Sequence, residues 1–309
     1  MSDQFPFSVK HNISLKNLST FALDGFAKNY IPISNKSDLV KVLNYLWNKK
    51  QPFKVFAGGS NIVFPDSGLD HFLIHFTNGS LNLEKNLITC DAGVSLFQVI
   101  KLSLKNSLSG LENLSGIPGS IGGAVVGNAG AYGSSVSEVI KKIEVWSKGK
   151  ISWLTKEECE FSYRESLFKK KPMIILSVAM NFTKSDSRKL KKISAEIISL
   201  RKQKYKPGLK CPGSFFKNVL ATEVSPKILS KINQSVIISG KIPAGYLLTE
   251  IGARGMKIGD IEVSDFHGNL LINNTGSGKS EDVKKLGNLL KQKVYSKFGI
   301  MLEEEVKYL

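Results

Sequence analysis

The fold is decided by Gly116-Ile117-Pro118-Gly119-Ser120-Ile121-Gly122-Gly123-Ala124-Val125-Val126-Gly127-Asn128-Ala129-Gly130-Ala131-Tyr132-Gly133, which carries seven glycines in eighteen residues. Residues without a Cβ allow positive φ and let main-chain N–H groups approach an anion closely, as binding a pyrophosphate requires. One or two glycines would mean only tight turns. At this density a backbone cradle is the better reading, with Gly119, Ser120, Gly122, Gly123, Ala124, Asn128 and Gly130 as candidates to bind a cofactor. A second candidate cradle, Gly58-Gly59-Ser60-Asn61, follows a strand-like run from Phe53 to Ala57. Two such loops suggest a dinucleotide diphosphate gripped from both sides. Neither reads G-x-G-x-x-G between a strand and a helix, so the Rossmann fingerprint is absent. Gly276-Ser277-Gly278-Lys279-Ser280 resembles the end of a P-loop, but Asn273 stands where the Walker pattern needs glycine. Ser277 or Ser280 capping a helix, with Glu281 and Asp282 in its first turn, accounts for these residues, and nucleotide hydrolysis is set aside.

Outward from these loops, the apolar spacing predicts a helix over 37–47, with Leu39, Val40, Leu43, Leu46 and Trp47 on one face. Strands are expected near 72–76, 87–90, 143–146, 151–154 and 173–182, with a helix over 95–108 among them. A basic helix runs to about Tyr205, carrying Leu190, Ile193, Ile197, Ile198 and Leu200 at helical spacing, and Lys206-Pro207-Gly208 then turns the chain. The last third holds strands near 258–263, 270–273 and 304–308 and a helix over 280–298. The pattern is α+β, without repeats or long linkers.

Three cysteines, Cys90, Cys159 and Cys211, are odd in number and far apart, against both a disulfide framework and a metal cluster; no metal is expected. The opening thirty residues, with Asp3 and Asp24, lack the apolar run of a signal peptide, and no stretch is long enough to span a membrane, so a cytoplasmic location is expected. The net charge of +17, from 43 basic and 26 acidic residues, raises nucleic acid or a membrane surface as partner. The lysines are scattered along solvated faces, which suits attraction of anionic small molecules.

Taken in order, Ser19-Thr20-Phe21, Gly58-Gly59-Ser60-Asn61, the Gly116 to Gly133 segment, Tyr163-Arg164-Glu165-Ser166, Gly213-Ser214-Phe215-Phe216-Lys217-Asn218, Pro243-Ala244-Gly245-Tyr246-Leu247-Leu248 and Leu302-Glu303-Glu304-Glu305-Val306 resemble the UDP-N-acetylenolpyruvoylglucosamine reductases. The likeness covers nearly the whole chain. It implies a PCMH/VAO-type FAD-binding fold of two α+β subdomains, residues 1–70 and 71–190, followed by an α+β substrate domain, residues 191–309. The short separation of Arg164 and Ser214 resembles the shorter, type II class. Asp24-Gly25 departs from the Gly-Gly of many members.

The resemblance implies an NADPH-dependent flavoenzyme of peptidoglycan precursor synthesis, with non-covalent FAD. It would reduce an enolpyruvyl ether on a UDP-sugar by hydride delivery from flavin N5 to C3 and proton donation to C2. Arg164, Ser214 and Glu305 then match the catalytic positions. Arg164 is always charged and forks onto a carboxylate, suiting it to the charge that develops on the substrate. Glu305 would polarise the same carboxylate and would have to hold or share a proton there; Glu303 and Glu304 read as a solvated acidic edge. Ser214 would give the proton to C2, assisted by a neighbour such as Lys217 or an ordered water. Tyr132, Lys217, Asn218 and His267 match substrate-binding positions, although a lone histidine more often completes a local hydrogen-bond network. Small molecules are the expected partners, with no nucleic acid and no membrane, and a monomer is expected. The rivals are an oxidase or dehydrogenase of the same fold, and a nucleic-acid-binding protein suggested by the charge.

Overall fold

In a computed structural model, residues 7–309 are described; Asp3 and the rest of the first six residues lie outside them. The chain divides into two compact units that cut across the consecutive segments 1–70, 71–190 and 191–309. Among the described residues, one comprises 7–13, 27–58 and 69–203, the other 14–26, 59–68 and 204–309.

In the first unit the strand-helix-strand opening is realised as a four-stranded sheet in the order Lys10–Ser14, Phe26–Ile33, Leu69–Phe76, Phe53–Phe56. Leu69–Phe76 pairs in parallel with both Phe26–Ile33 and Phe53–Phe56. Helix Lys36–Asn48 supplies the crossover, and Asn35 caps it by accepting from the Asp38 N–H at 2.9 Å. Its buried face is Leu39, Val42, Leu43 and Leu46, with Val40 partly buried against the same core; the expected Trp47 does not share it and meets Trp146 edge-on from a 43 % exposed position. The reason is that a spacing of three and four can be satisfied by two adjacent stripes, and only packing selects one.

A five-stranded antiparallel sheet follows, ordered Lys150–Thr155, Ile140–Ser147, Ile174–Asn181, Leu87–Asp91, Leu81–Glu84. Its register sets Ile143 opposite Val178 and Val178 opposite Cys90, a fully buried row across three strands. Helix Leu96–Lys105, opened by a Ser95/Gln98 capping box, buries Leu96, Val99 and Ile100 in the same core. It stops before the expected 108, because Ser107 turns left-handed at φ 57 and Leu108–Ser109 joins Thr183–Lys184 as a short strand pair. The basic helix, Ser187–Lys204, buries Leu190, Ser194 and Ile197, while Leu200 is exposed rather than on the buried stripe.

The second unit has its own core, in which helix Ser280–Phe298 lays Val283, Leu286, Leu290 and Val294 against Phe215, Ile261, Val263 and Leu271. The expected cap from Ser277 or Ser280 is replaced by a distant carboxylate. Asp66 accepts from the N–H groups of Ser280 and Glu281 at 2.7 and 3.0 Å, and its own N–H donates to Ser280 Oγ at 3.2 Å. The last strand is shorter than expected: Lys307–Tyr308 pairs in parallel with Ile62–Val63, while Glu304 makes a separate antiparallel bridge to Phe216. All three cysteines are free and buried.

Candidate active site

In the first unit, Gly58 meets the glycine-rich segment. A Cβ added at Gly58 would lie 2.7 Å from Gly119 Cα and 3.0 Å from Ser120 N, so only glycine allows the main chains to touch here. Gly122 is equally tight against Ala92, and its N–H donates to the Ala92 carbonyl at 2.9 Å. Ser120 caps helix Ile121–Val126 by accepting from the Gly123 N–H, and Leu96 N–H donates to the Gly119 carbonyl. These bonds fix Gly119, Ser120, Gly122, Gly123 and Ala124 as one rigid turn. The Gly58 side is set by a residue sequence reasoning missed, His75. Its Nε2 lies 3.0 Å from the Ala57 carbonyl and its Nδ1 2.6 Å from the Tyr30 hydroxyl, with Phe56 stacked on the ring at 4.2 Å. Burial lowers the His75 pKa, against the opposing bond to Ala57, so the neutral ring donates to Ala57 and accepts from Tyr30.

Arg164 sits in the same unit, at the tip of a two-residue turn closed by reciprocal main-chain bonds between Ser162 and Glu165. Its φ of 57 is left-handed, an unusual state for a bulky residue that costs on the order of 1 kcal/mol or more. Nη2 donates to the Gly130 carbonyl at 2.7 Å and Nη1 to the Asn128 carbonyl at 3.5 Å, while the guanidinium lies over the Tyr163 ring. Asn128, itself left-handed and buried, ties the Arg164 turn to the glycine segment by donating from Nδ2 to the Ser162 carbonyl at 2.7 Å. Tyr132, also at positive φ, is 48 % exposed.

In the second unit, two segments far apart in sequence run side by side. Lys217 N–H donates to the Glu303 carbonyl at 2.9 Å and Glu305 N–H to the Phe215 carbonyl at 2.8 Å, flanking the bridge between Phe216 and Glu304. The Ser214 segment and Glu305 are thereby held in one ladder. Asn61 steadies it by donating to the Glu305 carbonyl at 3.0 Å, and Thr20 holds the neighbouring loop by donating to the carbonyls of Cys211 and Ser60. At Gly59, φ is 61 and an added Cβ would strike the Leu18 carbonyl oxygen. Buried Asn269, absent from the expected set, clamps the other side: Oδ1 accepts from Phe216 N–H and Nδ2 donates to the Phe216 carbonyl.

Ser214 Oγ lies 3.2 Å from the Tyr205 hydroxyl and 3.4 Å from Lys204 Nζ. The expected helper, Lys217, is instead buried against Glu303, with Nζ 2.5 Å from Oε1. Glu304 is not part of a solvated edge: it pairs with Lys291 at 2.6 Å with its side chain 15 % exposed, because a cation on helix Ser280–Phe298 draws it inward. Asn218 Oδ1 accepts from the Ala244 N–H. His267 Nδ1 accepts from the Asn269 N–H at 3.1 Å, and burial, aided by Lys204, lowers its pKa to about 4. The local network anticipated for a lone histidine is therefore present.

Residues 203–309 match the family model described as UDP-N-acetylenolpyruvoylglucosamine reductase, C-terminal domain, and residues 27–154 the FAD binding domain. The chain is 39 % identical to the UDP-N-acetylenolpyruvoylglucosamine reductase of Solibacter usitatus over 82 % of its length and 81 % of that protein. It is 31 % identical to the enzyme of that name from Pseudothermotoga lettingae over 97 % of both chains. The crystal structure of the reductase from Thermus caldophilus superposes with a TM-score of 0.76 at 26 % identity, covering 97 % of this chain and 98 % of that one.

Proposed function

We propose a mechanism from one premise: this chain belongs to the UDP-N-acetylenolpyruvoylglucosamine reductase family. It is an FAD-binding oxidoreductase of peptidoglycan precursor synthesis that reduces UDP-N-acetylglucosamine enolpyruvate to UDP-N-acetylmuramate with NADPH. The residues present suit the cofactor, since the chain at Gly58 and Gly119 is bare main chain packed too closely for any side chain, and main-chain N–H groups without side chains over them are what a pyrophosphate needs. Gly58, Gly59, Ser60, Asn61 and the Gly119 to Gly130 segment are assigned to hold it. When bound, FAD supplies the hydride for the enolpyruvyl double bond, with electrons from NADPH.

The chain's own groups manage charge and protons. Arg164 faces the substrate carboxylate as charge builds there, and the observation that supports this most is its fixed guanidinium on a strained turn. A preorganised cation loses no reorganisation energy when the charge appears, and removing one such donor typically costs about 10²–10³ in rate. Ser214 gives its proton to C2. Glu305, fixed through both its N–H and its carbonyl, polarises the carboxylate alongside Arg164. Tyr132, Lys217, Asn218 and His267 are assigned to the UDP-sugar, with residues 1–70 and 71–190 as the cofactor subdomains and 191–309 as the substrate domain. We assign a cytoplasmic monomer acting on small molecules, without nucleic acid or membrane partners; among the described residues no helix is long and apolar enough to cross a membrane.

Anaerobic stopped-flow on flavin absorbance tests the reading. NADPH should bleach the enzyme and UDP-N-acetylglucosamine enolpyruvate should restore the colour. Ser214→Ala should bleach normally and recolour more slowly by orders of magnitude. Bleached wild-type enzyme that stays colourless with substrate would remove the assigned reaction.

A further inference from the structure

Serine is nearly as weak an acid as water, whereas a phenol is roughly 10⁵–10⁶-fold stronger. A serine that protonates carbon therefore needs a second proton source at its oxygen, or it must carry an alkoxide. Among the described residues, two groups reach Ser214 Oγ: the Lys204 ammonium at 3.4 Å and the Tyr205 hydroxyl at 3.2 Å. An ammonium can only donate, so it takes one lone pair of Oγ. Donation by Tyr205 takes the other and leaves the Ser214 proton pointing away from both, free to be given up.

We propose that Tyr205 is a positioning and proton-relay residue for Ser214. This rests on the assignment of Ser214 as the donor to C2. As the Ser214 O–H bond breaks and the C2–H bond forms, the Tyr205 O–H bond breaks and its proton re-forms the Ser214 hydroxyl. The electron pair of the enolate-like carbon enters the new C–H bond, and the negative charge comes to rest on the Tyr205 phenolate. Lys204 Nζ, 5.2 Å from the centre of the same ring, stabilises that charge. Tyr205 is half-buried, so its hydroxyl recovers a proton from water after the step. Its ring is held by Cys211, Leu270 and Ile272, with Leu209 and Phe266 beside it, which fixes the phenol relative to Ser214 and keeps the lost proton from being a loss of packing.

Tyr205→Phe keeps the ring and removes only the hydroxyl. The FAD-loaded variant, reduced anaerobically with dithionite and mixed with UDP-N-acetylglucosamine enolpyruvate, should recolour about 10-fold or more slowly, within the usual contribution of a placed proton donor. Its flavin spectrum and melting temperature should match wild type. In mixtures of H₂O and D₂O the wild-type rate should bow downward, as two protons in flight require, and the Tyr205→Phe rate should fall on a straight line. A merely structural role would slow the step without changing that curve. Wild-type recolouring rates in Tyr205→Phe, or a bowed inventory in both proteins, would overturn the relay, while Ser214→Ala remaining slow would leave the parent assignment standing. Wild type and Ser214→Ala recolouring alike would instead remove the parent assignment.

Discussion

Replacing Asp66 by alanine removes both acceptors that close the N-terminus of helix Ser280–Phe298, those facing Ser280 N–H at 2.7 Å and Glu281 N–H at 3.0 Å. Lys279, at the cap position, contributes no side-chain bond, so no local group takes over. A lost cap costs about 0.5–2 kcal/mol, and loss of a carboxylate at the positive end of the helix dipole adds about 0.3–1 kcal/mol. Glu281 and Asp282 remain in the first turn and keep part of the dipole compensation. The expected loss is about 2 kcal/mol, or roughly thirty-fold in the folding equilibrium. Asp66→Asn, which keeps one acceptor, should lose about half of that. Tryptophan fluorescence is the wrong reporter, since Trp47, Trp146 and Trp153 all belong to the first unit. Urea unfolding followed by far-ultraviolet circular dichroism, with amide hydrogen exchange at Ser280 and Glu281, reads the right helix. Stability within about 0.5 kcal/mol of wild type, with unchanged exchange at those amides, would refute the assignment of Asp66 as the cap.

Two further outcomes follow from the geometry. Gly58→Ala should force apart main chains that cannot yield, at 2.7 Å from Gly119 Cα, and weaken FAD binding by roughly five-fold to a hundred-fold, about 1–3 kcal/mol of overpacking; fluorescence titration of the apoprotein with FAD checks this, and an unchanged affinity would refute it. His267 is held at about 4 by burial, aided by Lys204, so its contribution to stability is present above the unfolded value of about 6.5 and is lost as pH falls through about 4. Because the ring is partly open to solvent, the discounted size is about 1–2 kcal/mol; melting temperatures from pH 7 to 4 should fall less in His267→Gln than in wild type, and parallel curves would refute it.

Much of this molecule is legible from local pattern. Helix Ser280–Phe298 begins and ends where its apolar spacing and Gly299 say it should, because such signals act within a turn or two of chain. Glycine density marked the segment as a candidate anion cradle, because the absence of a Cβ is visible in any context; that Gly58 packs directly on Gly119 was decided by the fold. The order of short motifs carried the family. What the sequence could not decide are particular side-chain partnerships, whether far apart in the chain, as Asp66 and Ser280, or nine residues apart, as Tyr205 and Ser214. Nothing near Ser280 announces that Asp66 caps it, nor anything near Ser214 that Tyr205 rather than Lys217 stands beside its hydroxyl. Glu303, Glu304 and Glu305 look alike as letters. Their fates, on Lys217, on Lys291, and on a main-chain ladder with Phe215, were settled only when tertiary packing put particular cations and carbonyls within reach. Local propensity depends on neighbours along the chain, whereas a buried charge must be matched by whatever folding brings to it in space.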